Sequence, residues 1–338
     1  MNTVHRILNW DFRPEAARRI WRGVALLLAS TIFLLGTGFS STVDAQTLKI
    51  LIPSNPGGGW DQTGRGLAAA MQGSGLVQAV QLENKGGAGG TIGLAQFVGS
   101  GRSDPNALMI GGMAMVGAIA LNKPPVKLSM VTPIARLTTE YEVVVVSAAS
   151  PHKTLADLIE AFRADPGKVS WGGGSAGGAD HMLVGMIAQK VGVSPARINY
   201  VAFGGGGEAP NAVMGGHVTA GVAGLGEYLA QIKAGRMRAL AVSSPTSQEG
   251  IKSLKEQGVD VEFGNWRGIF GAPGLSAAQT DTLVKLVRDT VDSSAWKATL
   301  QKFGWASAYL AGTEFQTFLD EDVVRIGNMI DSLGLAKK

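Results

Sequence analysis

The sequence contains no cysteine, which excludes a disulfide scaffold, a thiolate metal site, a cysteine nucleophile and a lipid-anchored lipoprotein N-terminus. Histidine is almost as scarce. His5, His152, His181 and His217 stand far apart, with no metal-ligand spacing among them, so neither a metal nor a cofactor is expected. Charge is sparse too, at 17% of 338 residues, with 30 basic against 26 acidic side chains and no basic stripe to displace counterions, so nucleic acid is not an expected partner. No apolar run reaches the roughly 18 residues that mark a membrane-spanning helix. What is abundant is glycine, 48 residues, roughly twice the usual share. The glycines cluster between apolar runs and follow no collagen-like period, which rules out a fibrous or disordered chain. With 45% hydrophobic residues, the chain can bury one large core or two smaller ones.

The first 45 residues read as a signal peptide. Arg6, Arg13, Arg18, Arg19 and Arg22 precede an apolar stretch, and Val43-Asp44-Ala45 offers an A-x-A-like cleavage site before Gln46. Residues 23–39 are too short for the ~20 positions a bilayer span needs. Arg22 breaks the apolar positions expected after a twin-arginine pair. Cleavage near Ala45 leaves about 290 residues of near-neutral charge, an exported product.

The remainder alternates between strand and helix patterns. Strands are expected at 48–53, 77–83, 107–111, 143–147, 169–171, 198–203, 217–222 and 239–243, and helices at 61–72, 91–98, 154–164, 179–191, 208–215 and 226–234. The tail, 277–293, 296–303 and 313–333, reads as helical. Asp61 and Thr154 are placed to cap their helices. This pattern predicts an α/β fold with parallel strands. The length predicts two domains, with crossovers near 143–146 and 263–270.

Four glycine-rich loops each join a strand to a helix: 55–61, 86–90, 172–178 and 204–207. In open α/β sheets such loops lie at the carboxyl ends of the strands, where ligands bind. Helix N-termini there offer unpaired N–H groups and partial positive charge, which suits an anion. A single loop of this kind is well explained as a tight turn; four in the same topological place point to a shared anion site. Residues 172–177 match the G-x-G-x-x-G dinucleotide fingerprint, but the acidic residue expected about 20 positions on is missing between Val191 and Gly207. Gly173-Gly174-Ser175-Ala176-Gly177 matches the G-x-S-x-G elbow, yet only His217, at the start of an apolar strand, could complete a triad. Asp61 and Trp60 are open between ligand contact and a cap or hinge role. His181, in a first helical turn, reads as a neutral packing or hydrogen-bonding group. Glu208 reads as a favourable first-turn charge, and Arg65 and Arg267 are the plausible cationic side chains near a site, each also explained as a solvated surface residue.

The order of motifs resembles the extracytoplasmic solute receptors of tripartite tricarboxylate transporters, the Bug-type receptors. The resemblance rests on Pro53-Ser54-Asn55-Pro56-Gly57-Gly58-Gly59-Trp60-Asp61, on Glu83-Asn84-Lys85-Gly86-Gly87-Ala88-Gly89-Gly90, on Lys233-Ala234-Gly235-Arg236-Met237-Arg238-Ala239-Leu240-Ala241-Val242, and on Trp266-Arg267-Gly268-Ile269-Phe270-Gly271-Ala272-Pro273. It implies a two-lobed, periplasmic-binding-protein-like fold (type II, Venus-flytrap) with two crossover strands. Residues 46–145 with 264–338 would form one lobe and 146–263 the other.

The resemblance further implies a non-catalytic periplasmic receptor that captures a small di- or tricarboxylate, citrate-like. It would deliver this acid, as a monomer, to integral-membrane permease subunits. By position, the ligand-binding residues would be Asn55, Gly57, Gly58, Gly59, Trp60, Asp61, Gly89 and Gly90 on one lobe. On the other they would be Ser175, Gly177, Gly178, Asp180, His181, Phe203, Gly204 and Gly205. Gly178 and Ala179 stand where many members of the family carry hydroxyl residues, which leaves backbone N–H groups to hold a carboxylate. The rival expectations are a secreted serine hydrolase using Ser175 and a ligand sensor for a membrane kinase.

Overall fold

The computed structural model describes residues 47–204 and 208–335; the expected leader, 1–45, lies outside them. In chain order the strands are β1 (Thr47–Ile52), β2 (Ala79–Asn84), β3 (Ala107–Gly112), β4 (Thr132–Ser147), β5 (Ser170–Gly173), β6 (Asn199–Ala202), β7 (Ala220–Gly224), β8 (Met237–Val242), β9 (Gly264–Gly271) and β10 (Ala306–Ala311). The helices are α1 (Gly59–Gly73), α2 (Thr91–Ser100), α3 (Met113–Asn122), α4 (Leu155–Ala164), α5 (Ala179–Lys190), α6 (Glu208–Met214), α7 (Leu225–Lys233), α8 (Ala277–Asp292), α9 (Ser294–Phe303) and α10 (Gly312–Ser332).

Two sheets share β4. Its first part pairs with β9 and β10, and residues Glu142–Ser147 pair with β7 and β8. Sixteen residues of strand span about 50 Å, enough to serve both sheets. Parallel pairing joins β1 to β2 and β3, and β5 to β6 and β7. β3–β9 and every pairing of β4 are antiparallel, so the sheets are mixed where a parallel arrangement was expected. An all-apolar strand needs only two covered faces, and Val143–Val146, each fully buried, meets that condition with antiparallel neighbours.

The helices form for local reasons. Thr154 accepts from the Asp157 N–H while Asp157 accepts from the Thr154 N–H, a reciprocal capping box, and Ser276 with Gln279 does the same for α8. Leu67 and Met71, one turn apart on α1, pack against Leu48, Ile50, Leu108 and Ile110 of the sheet. Each such fully buried side chain contributes roughly 1.5–3 kcal/mol of transfer free energy. Three elements were absent from the sequence expectation: α3, β10 and the first eleven residues of β4. His217 lies in the turn before β7 rather than in the strand.

Candidate functional site

Both sheets deliver their strand-to-helix turns to one cavity of about 440 Å³. Six helices present an N-cap or first-turn residue to it: Gly58, Gly59 and Trp60 of α1, Gly90 before α2, Ala114 of α3, Gly178, Ala179 and Asp180 of α5, Ala209 and Pro210 of α6, and Glu227 of α7. First-turn N–H groups have no partner within their own helix and carry the positive end of its dipole. Converging on one space, those not spent on side chains offer an anion neutral backbone donors.

Of the residues expected at a site, Gly58, Gly59, Trp60, Gly89, Gly90, Ser175, Gly178, Asp180, Phe203 and Gly204 line this cavity. Asn55, Gly57, Asp61, Gly177 and His181 do not, and Gly205 lies outside the described residues. Asp61 is not the cap of α1, because the N-cap is Gly58, which has no side chain to cap with. The buried Asp61 carboxylate instead accepts from the Gly57 N–H at 2.9 Å, from Arg65 Nε at 2.8 Å and from Asn84 Nδ2 at 2.9 Å. Burial opposes its charge, but these donors win and hold its pKa below the ordinary value. It ties the first loop to the end of β2. Gly90 has φ +88°, and a Cβ there would meet the Trp60 ring at 2.6 Å, so only glycine lets the indole lie along the wall.

His181 Nδ1 accepts from the Gly177 N–H at 3.0 Å, and its ring stacks on Tyr200 with centroids 4.2 Å apart. Burial lowers its pKa to about 4, so it is the neutral, packed histidine expected of a first helical turn. Among the described residues no hydrogen bond joins Ser175 to a histidine, and none of their His, Asp or Glu side chains group to hold a metal ion.

The wall also holds residues outside the expected ligand set. Arg267, open between a cation near the site and a solvated surface residue, lines the cavity and is 2% exposed. Its Nη2 pairs with Glu140 and lies 3.6 Å from Glu227. The guanidinium passes so close to Gly59 that a Cβ there would collide with it. Glu227 accepts from the Gly59 N–H, and its pKa is raised to about 8 by burial, with Arg267 opposing and the charges of Glu140 and Asp180 adding. Asp180 accepts a short hydrogen bond from the Gly174 N–H and is itself raised by burial. Glu142, fully buried behind Asp180, is raised well above its ordinary value by burial and by its acidic neighbours. Tyr228 and Asn265 complete this end of the wall. Glu227 sits at the turn after β7, a fifth strand-to-helix junction that carries no glycine cluster and so gave no motif.

Residues 64–335 match the family model described as the tripartite tricarboxylate transporter family receptor. Protein BugT of Bordetella pertussis is 24% identical over 327 residues, covering 93% of this chain and 98% of that one. Among solved structures, the periplasmic binding protein BugD superposes with a TM-score of 0.79 at 23% identity, covering 86% of this chain and 99% of that one. MatC of Rhodopseudomonas palustris with bound malate superposes at 0.72 and 20% identity, covering 84% and 98%. The fold is therefore the two-lobed one of the periplasmic solute-binding proteins.

Proposed function

This chain belongs to the family of tripartite tricarboxylate transporter receptors, and we propose that it is an exported, non-catalytic receptor that captures a small di- or tricarboxylate between two lobes. Residues 1–45 are the export signal, and the mature protein works in the periplasm as a monomer, passing its ligand to membrane permease subunits. The lobes are 46–145 with 264–338, and 146–263. The pairing of β4 with both sheets supports that division.

The observation that carries the reading is the convergence of helix first turns from both sheets on one cavity of about 440 Å³. Amide N–H groups at Trp60 and Ala179 are neutral and rigidly held, which suits an anion that must be bound and then let go. The malate in MatC is a small dicarboxylate of the expected size and charge. Backbone contacts across the cleft, such as Asn55 N–H to the Gly204 carbonyl at 3.2 Å, support closure around the ligand. Isothermal titration of the purified protein against citrate, tricarballylate, malate, succinate and aspartate tests it. Saturable one-to-one binding of at least one acid is expected; silence across the whole set contradicts the carboxylate reading.

A further inference from the structure

Helix α7 begins where the two sheets meet. Its N-cap, Gly224, stands against the Glu140 carboxyl, and Gly226 stands against the Phe303 carbonyl at the end of α9; a Cβ at either position would collide. Gly59 stands against the Arg267 guanidinium in the same way. Three glycines thus let two helix first turns, α1 after β1 and α7 after β7, sink onto one buried pair, Arg267 of β9 and Glu140 of β4. Glu227 joins the two turns. Its carboxyl accepts from the Gly59 N–H and lies 3.6 Å from Arg267 Nη2, with 14% of the side chain exposed. On the lobe division proposed above, Gly224, Gly226 and Glu227 belong to 146–263. Gly59, Glu140, Arg267 and Phe303 belong to the other lobe, so every one of these contacts crosses the seam.

We propose that Glu227 is a positioning residue for closure: it reaches across the seam and, through the Gly59 N–H and Arg267, holds the first turn of α1 where the closed cavity needs it. This rests on the two-lobe receptor reading and not on which acid is bound. A proton follows the latch. The charged and titratable groups facing Glu227 are Arg267 of β9, Glu140 and Glu142 of β4, Asp180 of α5 and Tyr228 beside it on α7. α1 brings the Gly59 N–H and α9 the Phe303 backbone; β7 carries no charged side chain, and Arg238 of β8 is held by the His152 and Ala148 carbonyls. Burial among more acids than bases raises the Glu227 pKa to about 8. Parting the lobes returns the carboxyl to water and to its ordinary range near 4.5. Closure therefore takes up a proton, and the closed form gains as pH falls from 8 toward 4.5.

The test uses the absence of cysteine from the chain. Gln72→Cys and Gln189→Cys, exposed at the far ends of α1 and α5, take spin labels, and electron–electron double resonance reads the distance between the lobes without ligand. The population at the distance of this structure should grow as pH falls from 8.5 to 6. Malate dissociation, followed by stopped flow, should slow about fivefold or more over the same range, within the limit of tenfold per pH unit that one proton sets. Glu227→Gln keeps an acceptor for the Gly59 N–H but cannot titrate, and should remove both trends. Glu227→Ala removes the acceptor as well, and should speed malate dissociation about tenfold or more while association changes little. Unaltered pH trends in Glu227→Gln, or parental dissociation in Glu227→Ala, overturn the proposal and leave the receptor reading standing. Failure of malate to bind counts against the carboxylate reading alone, because the distances are measured without ligand. A distance distribution independent of pH in the labelled parent overturns the proposal even where a variant fails to fold.

Discussion

The side-chain amide of Asn55 donates to Glu208 Oε1 at 3.2 Å, while the Asn55 backbone N–H donates to the Gly204 carbonyl at the same distance. Glu208 Oε2 in turn accepts from the Gly204 N–H at 3.1 Å. A loop after β1 is thereby fastened to the loop and helix after β6, with Gly204 on the cavity wall and Asn55 and Glu208 beside it. Asn55→Ala removes one exposed side-chain hydrogen bond and Glu208→Ala two, each bond a loss of roughly 0.5–1.5 kcal/mol. Ligand affinity should fall about 2- to 10-fold, through faster dissociation in stopped-flow measurements, with the melting temperature nearly unchanged. Slower association at constant dissociation would contradict a fastening role.

Arg267 and Glu140 form a buried pair at the back of the cavity, and Gly59 makes room for the guanidinium. Removing one member of a buried ion pair typically costs ~3–5 kcal/mol, because the other charge is left uncompensated. Arg267→Met should therefore lower the denaturant midpoint markedly, and Arg267→Met with Glu140→Gln should recover part of the loss. Gly59→Ala should displace the guanidinium and weaken ligand binding. An Arg267→Met protein as stable as the parent would show that the pair is not formed.

Trp60 is the one tryptophan among the described residues that lines the cavity; Trp171, Trp266, Trp296 and Trp305 are buried in the cores. Ligand binding should change the emission of Trp60, and Trp60→Phe should abolish that change while the fold persists by circular dichroism. A signal that survives the substitution would move the site elsewhere.

Much of this arrangement was legible in the sequence, and the part that was not has physical reasons. Glycine clusters after apolar runs mark strand-to-helix junctions, because tight turns and close backbone approach leave few other residues possible, as at Gly90 under Trp60. Thr154 stood where a cap was expected, and it caps its helix, with Asp157 closing the box. Strand direction could not be read, since Val143–Val146 has the same composition whether its neighbours run parallel or antiparallel. Arg267 and Glu140 are 127 residues apart, and each alone reads as a solvated charge. Only their meeting across β9 and β4 makes burial tolerable. Asp61 was ambiguous because a first-turn acid caps, binds or braces with equal ease, and Asn84, 23 residues away, decides that it braces the first loop.

Two groups give stability opposite pH slopes. His181, with its pKa lowered to about 4 from an ordinary 6.5, binds fewer protons folded than unfolded between those values, so stability falls as pH drops through that window. Glu227, raised to about 8 from 4.5, binds more protons folded than unfolded, so stability falls as pH rises from 4.5 to 8. Urea midpoints should therefore decline from pH 6.5 to 8, and Glu227→Gln should flatten that decline. Between 4.5 and 6.5 the two slopes oppose and largely cancel, so His181→Gln should make the midpoint rise as pH falls through that range. An unchanged slope in either variant would assign the effect to other groups.

The central claim is that backbone N–H groups at the first turns of α1 and α5 hold one carboxylate. Its most direct test is the amide spectrum of ¹⁵N-labelled protein titrated with a binding acid and with its methyl ester. Downfield shifts of the Trp60 and Ala179 amide protons that saturate together with the acid, and are absent with the ester, are the predicted result. Binding that leaves those two resonances in place, or that the ester reproduces, would contradict it.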